Sequence, residues 1–138
     1  MQISNILKPE AVRVFGAASS KKRLFQEIAD VAQLAYGLPA QPTVEALLDR
    51  ESLGPTGVGH GVALPHARLD GLDKVVGVFL VLDTPLEFGA VDRQPLDIAF
   101  ALFAPEGSQF SGEIVITGPP AVERYAERLM APLLTKYR

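Results

Sequence analysis

Two stretches of this chain are so uniformly apolar that they leave little choice of fold. They are Val75-Val-Gly-Val-Phe-Leu-Val-Leu82 and Leu96-Asp-Ile-Ala-Phe-Ala-Leu-Phe103. A strand with one wet face alternates apolar and polar side chains; a strand that has lost the alternation meets protein on both faces. Buried strands mixed with helical segments imply an α/β sandwich around one sheet. The 138 residues suit one domain, and a hydrophobic share of 48% is enough for a real core. Tryptophan is absent, so that core must be assembled from Leu, Val, Ile, Ala and Phe. The first run, Val75–Leu82, is interrupted by Gly77 and is too short to cross a bilayer.

Around these runs the other elements can be placed. Ala11-Val-Arg-Val-Phe15 alternates and reads as a short strand. Ser19 or Ser20 can cap a helix over Lys21–Tyr36, whose Leu24, Ile28, Val31 and Ala35 share a face widened by Phe25, Ala32 and Tyr36. Gly37 and Pro39 end it. A second helix opens at Gln41-Pro-Thr43, turns Val44, Leu47 and Leu48 inward, and breaks at Gly54-Pro55. Val62-Ala-Leu64 is a short strand expected to deliver His66 at its end, and Asp70-Gly-Leu-Asp73 is a turn. Asp83–Gly89 reads as a loop, Glu113–Thr117 as a further strand, and Gly118-Pro-Pro120 launches a final helix through Val122, Tyr125, Ala126, Leu129 and Leu133 that Pro132 kinks or ends.

Charge and composition exclude several classes of function. The net charge of −3, from 13 basic and 16 acidic residues, argues against nucleic acid as the main partner. No cysteine is present, which removes disulfides, thiolate metal sites and a cysteine nucleophile. Met1-Gln-Ile-Ser-Asn lacks the basic start and long apolar core of a signal peptide, so the expectation is a cytoplasmic chain that inserts in no membrane.

The chemistry concentrates between Gly54 and His66. Gly54-Pro-Thr-Gly-Val-Gly-His-Gly-Val-Ala-Leu-Pro-His66 holds both histidines of the protein among four glycines and two prolines. Glycine lets backbone N–H groups crowd round an anion. Histidine exchanges a proton near neutral pH and can act as a nucleophile. Gly54-x4-Gly59 is not a nucleotide P-loop, because His60-Gly61 stand where Lys-Ser/Thr is required. Nor is Gly57-x-Gly59-x-Gly61 the dinucleotide fingerprint, whose spacing differs. A plain loop with several positive-φ positions fits the pattern as well as an anion cradle does. His66, presented by Pro65, is either a structural histidine or a nucleophile or acid–base group. The two histidines lack the HExxH spacing and an obvious acidic third ligand, so no metal is expected. Arg50 and Arg68 are the candidate cations for phosphate oxygens, Arg68 sharing a side of the extended chain with His66. For Arg50 the plain alternative is an ion pair with Asp49 or Glu45.

Leu48-Asp-Arg50-Glu51, Thr56-Gly-Val-Gly59 and Gly61-Val-Ala-Leu-Pro-His66 together resemble the IIA domain of the fructose/mannitol type in the bacterial phosphoenolpyruvate-dependent phosphotransferase system, its nitrogen-regulatory members most of all. Ser20-Lys-Lys-Arg23, Val76-Gly-Val-Phe79 and Asp97–Pro105 extend the likeness, which runs from about Ile3 to Gly107. The resemblance implies an α/β fold with a mixed β-sheet and helices packed on both sides. It implies that His66 accepts a phosphoryl group on Nε2 from a histidine phosphocarrier protein, with Arg50 beside it. Gly57, Gly59, His60, Gly61 and Arg68 would then hold phosphate oxygens, no cofactor would be needed, and the output would be binding to regulatory target proteins. A sugar-specific IIA component serving a IIB cysteine, and a non-catalytic binding module on the same scaffold, are the alternatives. After Gly107 the chain departs from the family pattern over 108–138, with no further histidine.

Overall fold

The computed structural model describes residues 3–89 and 93–107. A short helix α1 (Ile3–Ile6) and a 3-10 turn (Pro9–Ala11) lead into strand β1 (Val12–Phe15). The strand starts one residue later than expected because Ala11 N donates to Lys8 O at 2.9 Å and closes the turn.

Helix α2 (Lys21–Tyr36) forms where its periodicity puts it. Ser20 is the cap: its Oγ accepts from Arg23 N at 3.1 Å, and Gly37 ends the helix at φ 72°. Its buried face holds Leu24, Phe25, Ile28, Ala29, Val31 and Ala32, with Ala35 and Tyr36 packed at the margin. Helix α3 (Ala40–Ser52) starts ahead of the expected opening at Gln41, without a side-chain cap at Pro39. It buries Thr43, Val44 and Leu47, while Leu48 is only half-buried. Thr43 Oγ1 donates to Pro39 O at 2.8 Å, which satisfies the buried hydroxyl.

The strands β2 (Gly57–Gly59), β3 (Val62–Ala63), β4 (His66–Leu69), β5 (Val76–Leu86) and β6 (Leu96–Pro105) join β1 in one mixed sheet. Its order is β1-β5-β6-β3-β2, with β4 also on β6. β5 and β6 run antiparallel; β1 runs parallel to β5, and β3 and β4 parallel to β6. The two apolar runs are the central pair, as expected. Leu96, Ile98, Phe100 and Leu102 on one side of β6 and Ala99, Ala101 and Phe103 on the other are all buried. Edge-to-face contacts between Phe79 and Phe100 and between Phe25 and Phe88, each at 5.9 Å, stitch strand to strand and α2 to the segment just after β5.

Three expectations are corrected. Asp83–Leu86 continue β5 rather than forming a loop, because Thr84 N donates to Gly16 O and Leu86 pairs with Leu96. Pro85 sits where the register shifts, the place in a sheet that tolerates its missing donor. Gly57–Gly61 are not an open loop: β2 and β3 form a hairpin turning at His60 (φ 59°) and Gly61 (φ 74°). Two central residues at positive φ are what the twist-matched two-residue hairpin requires. Finally, His66 begins a strand instead of ending one. Val62 lies opposite Ile98 and His66 opposite Leu102, so β3 and β4 are one strand in a single register, interrupted at Leu64-Pro65. The expected strand over 113–117 and the last helix lie outside the described residues.

Gly77 shows how tightly the central pair is packed: an added Cβ would lie 3.0 Å from Phe100 Cε1 and 3.3 Å from Ala101 O. Gly77→Ala is expected to cost about 1–3 kcal/mol through overpacking, read from the urea midpoint. Tyr36 ties the same strand to the start of the chain. Its hydroxyl faces Gly77 O at 2.7 Å and Ile6 O at 3.1 Å and accepts from Lys8 N at 3.0 Å. Burial pushes the phenol above its ordinary value of 10.0, against the opposing pull of its bonds to Lys8 and Gly77. The stabilisation is therefore complete below the unfolded value and is lost as pH rises through the folded one. Denaturant titrations above pH 10 should show the wild type losing stability relative to Tyr36→Phe.

Candidate functional site

The broken strand sets the site. Pro65 has no N–H to give the ladder and holds Leu64 extended. The edge is nevertheless satisfied: Leu64 N donates to Thr56 O at 2.9 Å, and Pro65 O accepts from Leu102 N at 2.9 Å. β4 then resumes with side chains alternating across the sheet. Ala67 and Leu69 go to the core, and His66 and Arg68 go to the other side, half-buried and exposed.

Helix α3 packs against β4 and brings its last turn to His66. Arg50 Nε donates to His66 Nε2 at 3.1 Å, and Arg50 Nη1 donates to Gly54 O at 3.0 Å. A basic side chain in this turn also complements the negative end of the helix dipole. The ion pair with Asp49 or Glu45, the plain alternative for Arg50, is replaced by these two bonds. His66 Nδ1 lies 3.0 Å from Leu64 O. A nitrogen that accepts from a guanidinium carries no proton, so the imidazole proton sits on Nδ1 and donates to that carbonyl. Nε2 is left with its lone pair turned to Arg50.

In front of this pair lies an open hollow of about 480 Å³ lined by Ala46, Asp49, Arg50, Leu53, His66, Ala67 and Arg68. Three of the expected site residues, His66, Arg50 and Arg68, thus face one space. Gly57, Gly59, His60 and Gly61 are not among the lining residues. They form the β2–β3 hairpin, where Gly61 O accepts from Asp97 N and Ile98 N at 3.1 Å and His60 is exposed at the tip. Among the described residues, no group of three or more His, Asp or Glu comes together as a metal cluster would.

The residues behind the site stood in the quoted motifs without a role assigned to them. Glu51 follows Arg50 and turns the other way. Its carboxylate accepts from Thr56 N at 3.0 Å and from Thr56 Oγ1 at 2.8 Å, and lies 3.8 Å from Lys21 Nζ. Lys21 in turn sits over the Phe88 ring at 4.4 Å. One signal was present: an acid in the last turn of a helix opposes the dipole and needs a specific partner. Leu53, 84% exposed at the rim of the hollow, has no such rationale in the fold.

Residues 5–113 match the family described as "Phosphoenolpyruvate-dependent sugar phosphotransferase system, EIIA 2". A nitrogen regulatory protein of Bradyrhizobium diazoefficiens is 44% identical over 108 residues, 78% of this chain and 71% of that protein. The nitrogen regulatory protein of Escherichia coli (strain K12) is 42% identical over 106 residues, 76% of this chain and 65% of the relative. The crystal structure of nitrogen regulatory protein IIA-Ntr from Neisseria meningitidis superposes with a TM-score of 0.70 at 35% identity, covering 75% of this chain and 71% of that one.

Truncating Arg50 to Ala removes both of its hydrogen bonds and is expected to cost about 1–3 kcal/mol in urea unfolding. Leu53→Ser at the rim should stay within about 0.5 kcal/mol of wild type in the same measurement.

Proposed function

The chain belongs to the EIIA 2 family of the phosphoenolpyruvate-dependent sugar phosphotransferase system, and on that premise we propose that it is a phosphohistidine-carrying regulatory component of the system's nitrogen branch. The observation that carries this reading is the His66 ring itself: proton on Nδ1 against Leu64 O, lone pair on Nε2, guanidinium alongside, open space in front.

Phosphoryl transfer asks a protein for alignment and charge neutralisation rather than covalent help. His66 Nε2 attacks the phosphorus of a phosphorylated histidine phosphocarrier protein in line with the departing nitrogen. The new N–P bond forms as the donor's N–P bond breaks, and the donor imidazole leaves with the electron pair. The Nδ1 proton stays on the bond to Leu64 O, where the carbonyl dipole stabilises the positive charge that builds on the ring. Arg50 swings its Nε–H from Nε2 to the incoming phosphoryl oxygens, while Nη1 on Gly54 O limits how far the fork travels. Arg68 adds a second cation at the wall of the hollow. Because nitrogen is exchanged for nitrogen, the step is near balance and runs both ways.

The two added charges then alter what the surface around Leu53 and Arg68 can bind, and this is the regulatory output. We place the protein in the cytoplasm with its phosphocarrier donor; among the described residues no helix is long and apolar enough to cross a membrane. Relatives called nitrogen regulatory protein, 44% and 42% identical, support the nitrogen branch over sugar transport.

Incubation with phosphoenolpyruvate, enzyme I and the phosphocarrier tests the reading. Wild type should gain one acid-labile phosphoryl group and His66→Ala none. Arg50→Ala should take it up roughly 10²–10³-fold more slowly, as expected for loss of a donor that stabilises transition-state charge. Label on His66→Ala would move the site elsewhere, and no label on wild type would leave a non-catalytic binding module. Passage of the label to a fructose- or mannitol-type IIB cysteine would reassign the chain to sugar transport.

A further inference from the structure

We propose that Glu51 is a positioning residue for His66, acting through Thr56 and Leu64 to set which ring nitrogen holds the proton and where the other one points. The consequence for rate rests on the reading of His66 as phosphoryl acceptor; the consequence for the tautomer does not.

The Glu51 side chain is 7% exposed, at the helix end where the dipole disfavours an anion. A buried carboxylate persists in such a place only when it is well bonded. Its bonds converge on one residue: the Thr56 N–H lies 3.0 Å from both carboxylate oxygens, and the Thr56 hydroxyl lies 2.8 Å from the nearer. Lys21 offsets the charge at 3.8 Å. Thr56, itself 1% exposed, passes the constraint on, since its carbonyl accepts from Leu64 N at 2.9 Å. With its N–H held there and Pro65 keeping it extended, Leu64 has little freedom to rotate. Its carbonyl is thereby aimed at His66 Nδ1, at 3.0 Å. The tautomer of a histidine is decided by the hydrogen bond its other nitrogen makes. Arg50 braces the same short segment from the other side through Gly54 O. Moving Thr56 therefore loosens the acceptor of the Nδ1 proton and the seat of the guanidinium together.

The test uses full-length protein with 15N-labelled histidine, the His60 signals being assigned with His60→Gln. NMR should show wild-type His66 with a pyrrole-type Nδ1 and a pyridine-type Nε2. Glu51→Gln and Thr56→Val should both move it toward mixed tautomers. Both should also slow phosphorylation about tenfold, the effect of weakening one aligning hydrogen bond. Thr56→Ser, which keeps the hydroxyl, should restore tautomer and rate. Thr56→Val retains the backbone donor and the side-chain volume, so it carries the test if Glu51→Gln fails to fold. Wild-type His66 protonated on Nε2 overturns the proposal outright, as do folded variants that keep the wild-type tautomer and rate. A wild type that takes no phosphoryl group, yet whose tautomer responds to Glu51 and Thr56, keeps this role and removes the function proposed above. A phosphorylated protein whose tautomer ignores both residues does the reverse.

Discussion

The register of one interrupted strand against β6 governs the rest of the site. β3 and β4 keep the same alignment on either side of Leu64-Pro65, with Ala63 opposite Ala99 and His66 opposite Leu102. A slip by a single residue would turn His66 and Arg68 into the core and Ala67 and Leu69 out of it. The buried packing of β6 makes that slip costly, so the core holds the imidazole in place.

The interruption has its own use. A continuous strand would spend the Leu64 carbonyl on a neighbour in the sheet. Here Leu64 N goes to Thr56 O, and Leu64 O faces the ring two residues on. The backbone thus supplies the hydrogen bond that fixes the ring's protonation. A carbonyl is a better anchor for that role than a side chain, since it has no rotamers to lose. The last turn of α3 completes the frame with adjacent residues of opposite charge. Arg50 reaches His66 and Gly54, while Glu51 reaches Thr56 and Lys21. Neighbouring helical side chains diverge in direction, so one turn braces the site from in front and from behind.

Much of the fold was legible because it rests on period and local chemistry. The double-sided apolar runs became the central strands, and the Ser20 cap and Gly37 stop bounded α2 as written. The departures share a cause: each depended on strand pairing, with partners that range from a few residues away to the far side of the sheet. Asp83–Leu86 carry loop-forming residues, yet Gly16 and Leu96 recruit them into β5. Glycines 57, 59 and 61 suit a cradle as well as a hairpin, and pairing with β3 and β6 selects the hairpin. At the site, the family motifs marked His66 and Arg50, and the fold brings the two within 3.1 Å. Glu51 stood in the same motif, with nothing local to say what its carboxylate would hold.

The order of residues alone determined the two-faced burial of β5 and β6, the ends of α2, and the identity of the groups able to do chemistry. Those follow from hydrophobic period, capping and side-chain type, which act over a few neighbouring positions. The tertiary structure decided the proton's place on His66, the direction of Arg50 and the partners of Glu51. Each of these turns on a hydrogen bond whose donor and acceptor become neighbours only after α3 docks on β4 and the broken strand seats on β6, and no local pattern encodes that distance.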